Sequence, residues 1–168
     1  VPVLPEAQVT LLDGTREPEK LICRAAYLAN GMQAPGLTRD EQARILRTLL
    51  QNNRKRELEQ ASFTLLYSGM SLAALTHLTR HRMQSLCPPQ LLQNIRYDRY
   101  VLPQSVRDKG MEARYRSAFE LAGQAAAQLR DRGADESALC YLMLSGQTVP
   151  VLTTMNAGEL YVFFRLRC

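Results

Sequence analysis

The sequence contains no run of about eighteen apolar residues, the length that a membrane-spanning helix needs, so no membrane role is expected. Its four cysteines, Cys23, Cys87, Cys140 and Cys168, form no CxxC pair, and no signal-peptide pattern precedes them. That argues against a disulfide framework or a zinc site and makes a reducing cytoplasm the expected compartment. No stretch of five basic residues and no nucleic-acid-binding motif occurs, so nucleic acid is not an expected partner. A glycine-rich phosphate loop, a Ser/His/Asp set, internal repeats and low-complexity segments are also missing.

What is present is an ordinary globular composition. The 168 residues are 46 % hydrophobic and 22 % charged, which fits one domain spanning residues 1–168. The net charge of +5 is a modest basic excess. It suits an anionic ligand such as a nucleotide, and it equally suits a plain soluble protein.

Residues 1–5 read as a loose arm. Gln8 to Leu12 favours a strand that Asp13-Gly14 ends. Glu17 to Ala29 reads as a helix, with Pro18 in its first turn and Asn30-Gly31 as its stop. After a loop over 32–37, Thr38 and Glu41 have capping-box spacing. Ile45, Leu46, Leu49 and Leu50 then give a helical stripe, closed by Asn52-Asn53. A charged connector over 54–59 leads to an expected strand at 60–67, and Ser68-Gly69 is expected to turn the chain.

Met70 to Met83 reads as a helix whose Leu72, Leu75 and Leu78 face the core. An extended segment is expected over 95–102. The longest helix is expected over 109–132, with Met111, Tyr115, Ala118, Ala122, Ala125 and Leu129 on its buried face and Gly133 as its stop. A short helix follows over 135–144. Gln147 to Thr154 is β-prone, with Pro150 pointing to an edge or a bulge. Asn156 is expected to cap a last helix, with Glu159 as its capping-box partner. Helices mixed with a few strands, not joined as regular βαβ units, imply an α+β fold: a small antiparallel sheet packed with helices.

The candidate site centres on Leu75 to Cys87, which holds both histidines, His77 and His81. Their i, i+4 spacing on a helix would let them share a metal. The Glu of a metalloprotease motif is missing, however, and Arg80 and Arg82 would repel a dication, so no metal is expected. Arg80, His81 and Arg82 at a helix end have two readings: cations that satisfy the helix dipole, or donors for a phosphate or polarised carbonyl. Asn156 is an N-cap whose helix terminus could also hold an anion or a ring carbonyl. Arg165 and Arg167 lie where the dipole of the last helix favours cations. Phe163 and Phe164 read as core.

The run Arg80-His81-Arg82-Met83-Gln84-Ser85 resembles the RHRxxS signature of the flavin-dependent thymidylate synthases. The surrounding chain resembles that family in the same order: VTLLD near the start, CRAAY at 23–27, EQASF at 59–63, YDRYVLP at 97–103 and TMNAGELYVFFRLR at 154–167. The resemblance runs from about residue 9 to 168 and implies a thymidylate-synthase-complementing-protein-like fold. It further implies a homotetrameric FAD enzyme. Such an enzyme moves a one-carbon unit from methylenetetrahydrofolate to carbon 5 of a uridine nucleotide (dUMP, UMP or a related acceptor), with NADPH reducing the flavin. By the same resemblance Arg80, His81, Arg82 and Asn156 lie against FAD. His77, Ser85 and Arg167 face the substrate, with Arg167 as the catalytic group beside the pyrimidine ring.

The sequence departs from the family pattern after Ser85. The Asn, Glu, second Ser and Arg-Tyr of the full signature read Cys87, Pro88, Gln90, Leu92 and Gln93. The histidine of the family's EH pair is Gln60, and the glutamine before the signature is His77. A further phosphate-binding arginine falls near Cys140, the arginine two after the closing asparagine is Gly158, and the family's C-terminal histidine and final helix have no counterpart in residues 1–168. Arg96 and Arg99 are candidate replacements for the lost phosphate contacts. The departures keep two alternatives in view: a non-catalytic member acting as a subunit or binding module, and a flavoenzyme acting on an unrelated substrate.

Overall fold

The computed structural model describes residues 7–167, so the expected arm over residues 1–5 and Cys168 lie outside the described residues. In chain order the elements are β1 (Gln8–Gly14), α1 (Pro18–Ala29), α2 (Arg39–Gln51), a 3₁₀ segment (Arg56–Gln60), β2 (Ser62–Ser71), α3 (Leu72–Leu78) and β3 (Gln84–Cys87). Then come α4 (Leu91–Asn94), α5 (Gln104–Asp108), α6 (Glu112–Asp131), a second 3₁₀ segment (Glu136–Leu142), β4 (Thr148–Asn156) and α7 (Ala157–Arg167). The strands form one small antiparallel sheet in the order β1-β2-β4-β3, so the α+β expectation holds. Among the described residues no helix is long and apolar enough to cross a membrane.

The chain divides into two compact units, neither of them a continuous segment. Of the described residues, the first holds 7–10, 66–80 and 87–152, and the second holds 11–65, 81–86 and 153–167.

In the first unit α6 supplies the main packing surface. Phe119 stacks on Tyr100 with ring centroids 4.0 Å apart and planes 17° from parallel. Tyr115 closes the cluster and donates from its hydroxyl to the Val101 carbonyl at 3.1 Å. Gly146 passes directly beneath these rings. A Cβ there would lie 2.5 Å from the Tyr115 hydroxyl and 3.0 Å from Phe119 Cζ, so a larger residue must displace these rings. Gln147 is fully buried, and both halves of its amide are used. It accepts from the Leu144 N–H at 2.7 Å and donates to the Arg96 carbonyl at 3.5 Å. α6 ends in a Schellman motif: the Gly133 N–H donates to the Arg130 carbonyl and the Ala134 N–H to the Leu129 carbonyl, with Gly133 at φ 75°.

In the second unit α1, α2 and the first 3₁₀ segment enclose Ile22, Leu49, Leu58 and Ala61. Thr38 and Glu41 form the expected capping box at the start of α2, with both reciprocal bonds present. The Ala157 N–H donates to the Ala61 carbonyl at 2.8 Å, which ties the first residue of α7 to the approach to β2.

Several expectations are corrected. Ser68-Gly69 does not turn the chain; Gly69 takes φ 73° inside β2, a backbone state that glycine adopts without penalty, and the strand continues to Ser71. The helix expected over 70–83 is shorter: α3 starts at the Ser71 cap and stops at Leu78, and a turn leads into β3. The extended segment over 95–102 reduces to a single bridge, Tyr100 to Gln147, flanked by the short helices α4 and α5. Both the charged connector and the helix expected at 135–144 contain 3₁₀ helix. On α6 the buried residues are Phe119 and Ala126, whereas Met111 and Ala118 are exposed. β4 is not an edge, since it has β2 on one side and β3 on the other; Pro150 sits within it with its side chain exposed.

Candidate functional site

The site is best built from α7. Asn156 caps it by accepting the Glu159 N–H at 2.8 Å, the bond the sequence led us to expect. The reciprocal half of a capping box is not made. The Glu159 carboxylate, 9 % exposed, instead accepts a hydrogen bond from His81 Nδ1 at 3.0 Å. A carboxylate this deeply buried is costly unless it is hydrogen-bonded, and His81, itself 7 % exposed, meets that need.

Residues four apart on a helix share a face. Glu159, Phe163 and Arg167 therefore form one line along α7, and His81 is set against that line. The His81 ring meets Phe163 edge to face with centroids 5.0 Å apart. Arg167 Nε donates to His81 Nε2 at 3.4 Å. Both nitrogens of one imidazole are thus engaged by a single helix, with a carboxylate on one side and a guanidinium on the other.

β3 extends the same region. Thr153, 1 % exposed, donates from its hydroxyl to the Gln84 side-chain oxygen at 2.7 Å. Arg82 and Ser85 are exposed on either side of Gln84, and Met83 is 63 % exposed.

A cleft of about 360 Å³ opens at the start of α7, with Lys55, Glu59, Met83, Asn156, Tyr161 and Arg165 among its walls. Lys55 Nζ lies 5.5 Å and Arg165 Cζ 5.8 Å from the centre of the Tyr161 ring, so two cations flank one aromatic ring. Gly158 also lines it, and a Cβ there would begin 3.2 Å from the Asn156 cap oxygen. Because that oxygen is spent on the cap, the Asn156 amide NH₂ is left as a donor. This set suits a flat ring edged with carbonyl acceptors. Two larger clefts of about 520 and 650 Å³ run along α1 beside Lys20, Arg24 and Leu37, and contain none of the residues singled out from the sequence.

The remaining sequence-predicted residues are placed as follows. His77 is exposed in the last turn of α3. Because α3 ends at Leu78, His77 and His81 do not share a helix, and the i, i+4 helical spacing does not apply to them. Arg80 is exposed in the turn beyond α3, so the three cations do not lie within a helix end. Phe164 is 57 % exposed rather than core. In the rewritten loop, Cys87 ends β3 and Leu92 and Gln93 lie in α4. Cys140 is an exposed free thiol. Arg96 and Arg99 are exposed, and Arg96 lies 3.8 Å from Asp98. Sequence reasoning missed Glu159 as the partner of His81 and overlooked Lys55. The spacing Glu159, Phe163, Arg167 was the available signal for the first, and nothing in the sequence marked the second.

Comparison with known proteins gives a consistent picture. The family described as thymidylate synthase complementing protein matches residues 10–168. The flavin-dependent thymidylate synthase of Geobacter sulfurreducens is 32 % identical over 96 % of this chain and 73 % of its own length. The enzyme of the same name from Sulfolobus acidocaldarius is 26 % identical over 95 % of this chain, which spans 64 % of that protein. Among solved structures, the UMP/dUMP methylase PolB of Streptomyces cacaoi, bound with 5-Br dUMP, matches with a TM-score of 0.79 at 18 % identity, over 94 % of this chain and 76 % of that one. Thymidylate synthase X of Helicobacter pylori, solved with FAD and dUMP, matches with a TM-score of 0.73 at 17 % identity, over 95 % and 83 %.

Proposed function

This chain belongs to the thymidylate synthase complementing protein family, and from that premise we propose that it is an FAD-dependent methyltransferase acting on carbon 5 of a uridine nucleotide. The one-carbon donor is methylenetetrahydrofolate, and NADPH is the reductant. The acceptor is dUMP or UMP, the pair named for the Streptomyces methylase. The observation that carries this reading is the contact between Arg167 and His81. It brings the centre of the Arg-His-Arg signature against the arginine that ends the closing segment.

The residues at the start of α7 fit a flavin. The Asn156 amide NH₂ can donate to a ring carbonyl, because its oxygen is taken by the cap, and Gly158 keeps the approach free of a side chain. FAD, when bound, supplies the hydride chemistry; the protein supplies position and field. We assign Asn156, Arg82 and His81 to the flavin side of the second unit, His81 acting through its neighbours. Arg167 and Ser85 are assigned to the substrate. The family resemblance gives Arg80 a flavin contact and His77 a substrate contact in the first unit.

Arg167 carries the chemistry. With Nε engaged by His81, its terminal nitrogens are left to bond a pyrimidine carbonyl. A preorganised guanidinium there stabilises negative charge that develops on the ring as carbon 5 is alkylated.

The proposed assembly is a homotetramer in the cytoplasm. Support comes from apolar surface that a single chain leaves open. Every residue of β1 is exposed, Val9 and Leu11 among them, and on α7 Phe164 and Leu166 are 57 % and 66 % exposed. The rewritten loop after Ser85 favours a second reading, a non-catalytic subunit, because Cys87 to Gln93 offers a nucleotide phosphate no cation. Titration with FAD followed by flavin absorbance tests the shared premise: saturable binding supports it, and no binding removes it.

A further inference from the structure

We propose that Glu159 is a positioning residue of this site, fixing His81 in the Nδ1–H tautomer and through it the orientation of Arg167. The inference rests on the reading above, in which Arg167 faces the substrate.

The argument is one of donors and acceptors. An arginine Nε–H can only donate, so His81 Nε2, 3.4 Å away, must present its lone pair. A carboxylate can only accept, so His81 Nδ1, 3.0 Å from Glu159 Oε1, must carry the proton. Only the neutral Nδ1–H imidazole satisfies both contacts. An imidazolium would set an N–H against the guanidinium, and the opposite tautomer would set a lone pair against the carboxylate as well. The hydrogen bond at one ring nitrogen thus decides what the other can do.

The fold makes this arrangement rigid. Phe163 packs edge-on against the imidazole at 5.0 Å. Glu159 and Arg167 belong to the same helix, so their spacing is fixed by the backbone, and the ring fills the interval between them. Removing the carboxylate frees the ring to turn or to carry its proton on Nε2, and either change withdraws the acceptor from Arg167. Glu159 borders the cleft at the start of α7, but its Oε1 is taken by His81 and no ligand contact is assigned to it. It acts only through His81.

The protein contains two histidines, so a long-range ¹⁵N–¹H spectrum of histidine-labelled protein resolves both rings. The expected wild-type result is an Nδ1–H pattern for His81, identified by the loss of its signals in His81→Asn. In Glu159→Ala that pattern is lost. With nucleotide, donor and reductant present, kcat falls roughly a hundredfold, the scale of a misplaced reacting group. Glu159→Gln restores both the pattern and the rate, because its amide oxygen still accepts from Nδ1–H, whereas a role that needs only negative charge would show no rescue. An Nε2–H or doubly protonated His81 in the wild-type protein overturns the proposal. So does a folded Glu159→Ala variant with wild-type kcat. Because the spectrum is read without ligand, the hydrogen-bond assignment and the assigned activity fail separately.

Discussion

Arg167 Nε and His81 Nε2 lie 3.4 Å apart although 86 residues separate them in the chain. One belongs to the end of the last helix and the other to the turn before β3. Neither element is long or apolar enough to define a site alone. Their meeting converts an exposed arginine at a helix end, where the dipole alone would account for it, into a side chain with a fixed direction.

Replacing Arg167 therefore tests more than charge. Arg167→Lys keeps the cation but loses the planar fork and the Nε–H that meets His81. Turnover is expected to fall by roughly a hundredfold to a thousandfold, as when an oxyanion donor is removed. FAD affinity should stay near wild type. A lysine variant with undiminished kcat would show that the guanidinium geometry is immaterial.

Asn156 links stability and binding. Asn156→Ala removes the bond to the Glu159 N–H and is expected to cost about 1 kcal/mol of stability. The same change removes the amide donor at the proposed flavin edge. Urea unfolding and a flavin titration on one preparation should both report a loss. Stability lost with flavin affinity unchanged would restrict Asn156 to its capping role.

In the first unit, Gly146→Ala places a methyl group 2.5 Å from the Tyr115 hydroxyl and 3.0 Å from Phe119 Cζ. Overpacking of this kind costs about 1–3 kcal/mol. Thermal unfolding should show a lowered midpoint. An unchanged midpoint would mean that the Tyr115 and Phe119 rings give way to the methyl group without cost.

The capping box of α2 gives a pH signature. The Thr38 backbone and side-chain hydrogen bonds hold the Glu41 carboxyl below its ordinary value. A group whose folded value is depressed contributes stability above its unfolded value and loses it as pH falls through the folded one. Acid should therefore weaken the cap, and Glu41→Gln, which removes the titrating carboxyl while keeping an acceptor for the Thr38 N–H, should remove that part of the pH dependence. Parallel acid titrations of wild-type and variant protein by circular dichroism compare the two slopes; equal slopes would deny the coupling.

The elements read most clearly from the sequence are those fixed by local chemistry. Pro18, the Thr38 and Glu41 box, Gly133 and the Asn156 cap each act within a few residues of themselves. The misreadings lie where distant contacts decide. Gly69 has turn chemistry, but the sheet carries the strand through it. Met70 to Met83 has an apolar helical face, but the chain turns after Leu78 to bring His81 against α7. Glu159 satisfied the capping spacing, and nothing within four residues of it shows that its partner is a histidine 78 positions earlier. The signature and the closing helix were visible as two separate patterns. Their contact, and the carboxylate that orders it, belong to the folded chain.

The central claim is methylation of a uridine nucleotide at carbon 5. The most direct test incubates the purified protein with FAD, NADPH, methylenetetrahydrofolate and either dUMP or UMP, and reads the nucleotide by mass spectrometry. The account predicts a product heavier by one methylene unit that depends on flavin and is lost in Arg167→Ala. Unchanged dUMP and UMP in the presence of bound flavin would contradict it.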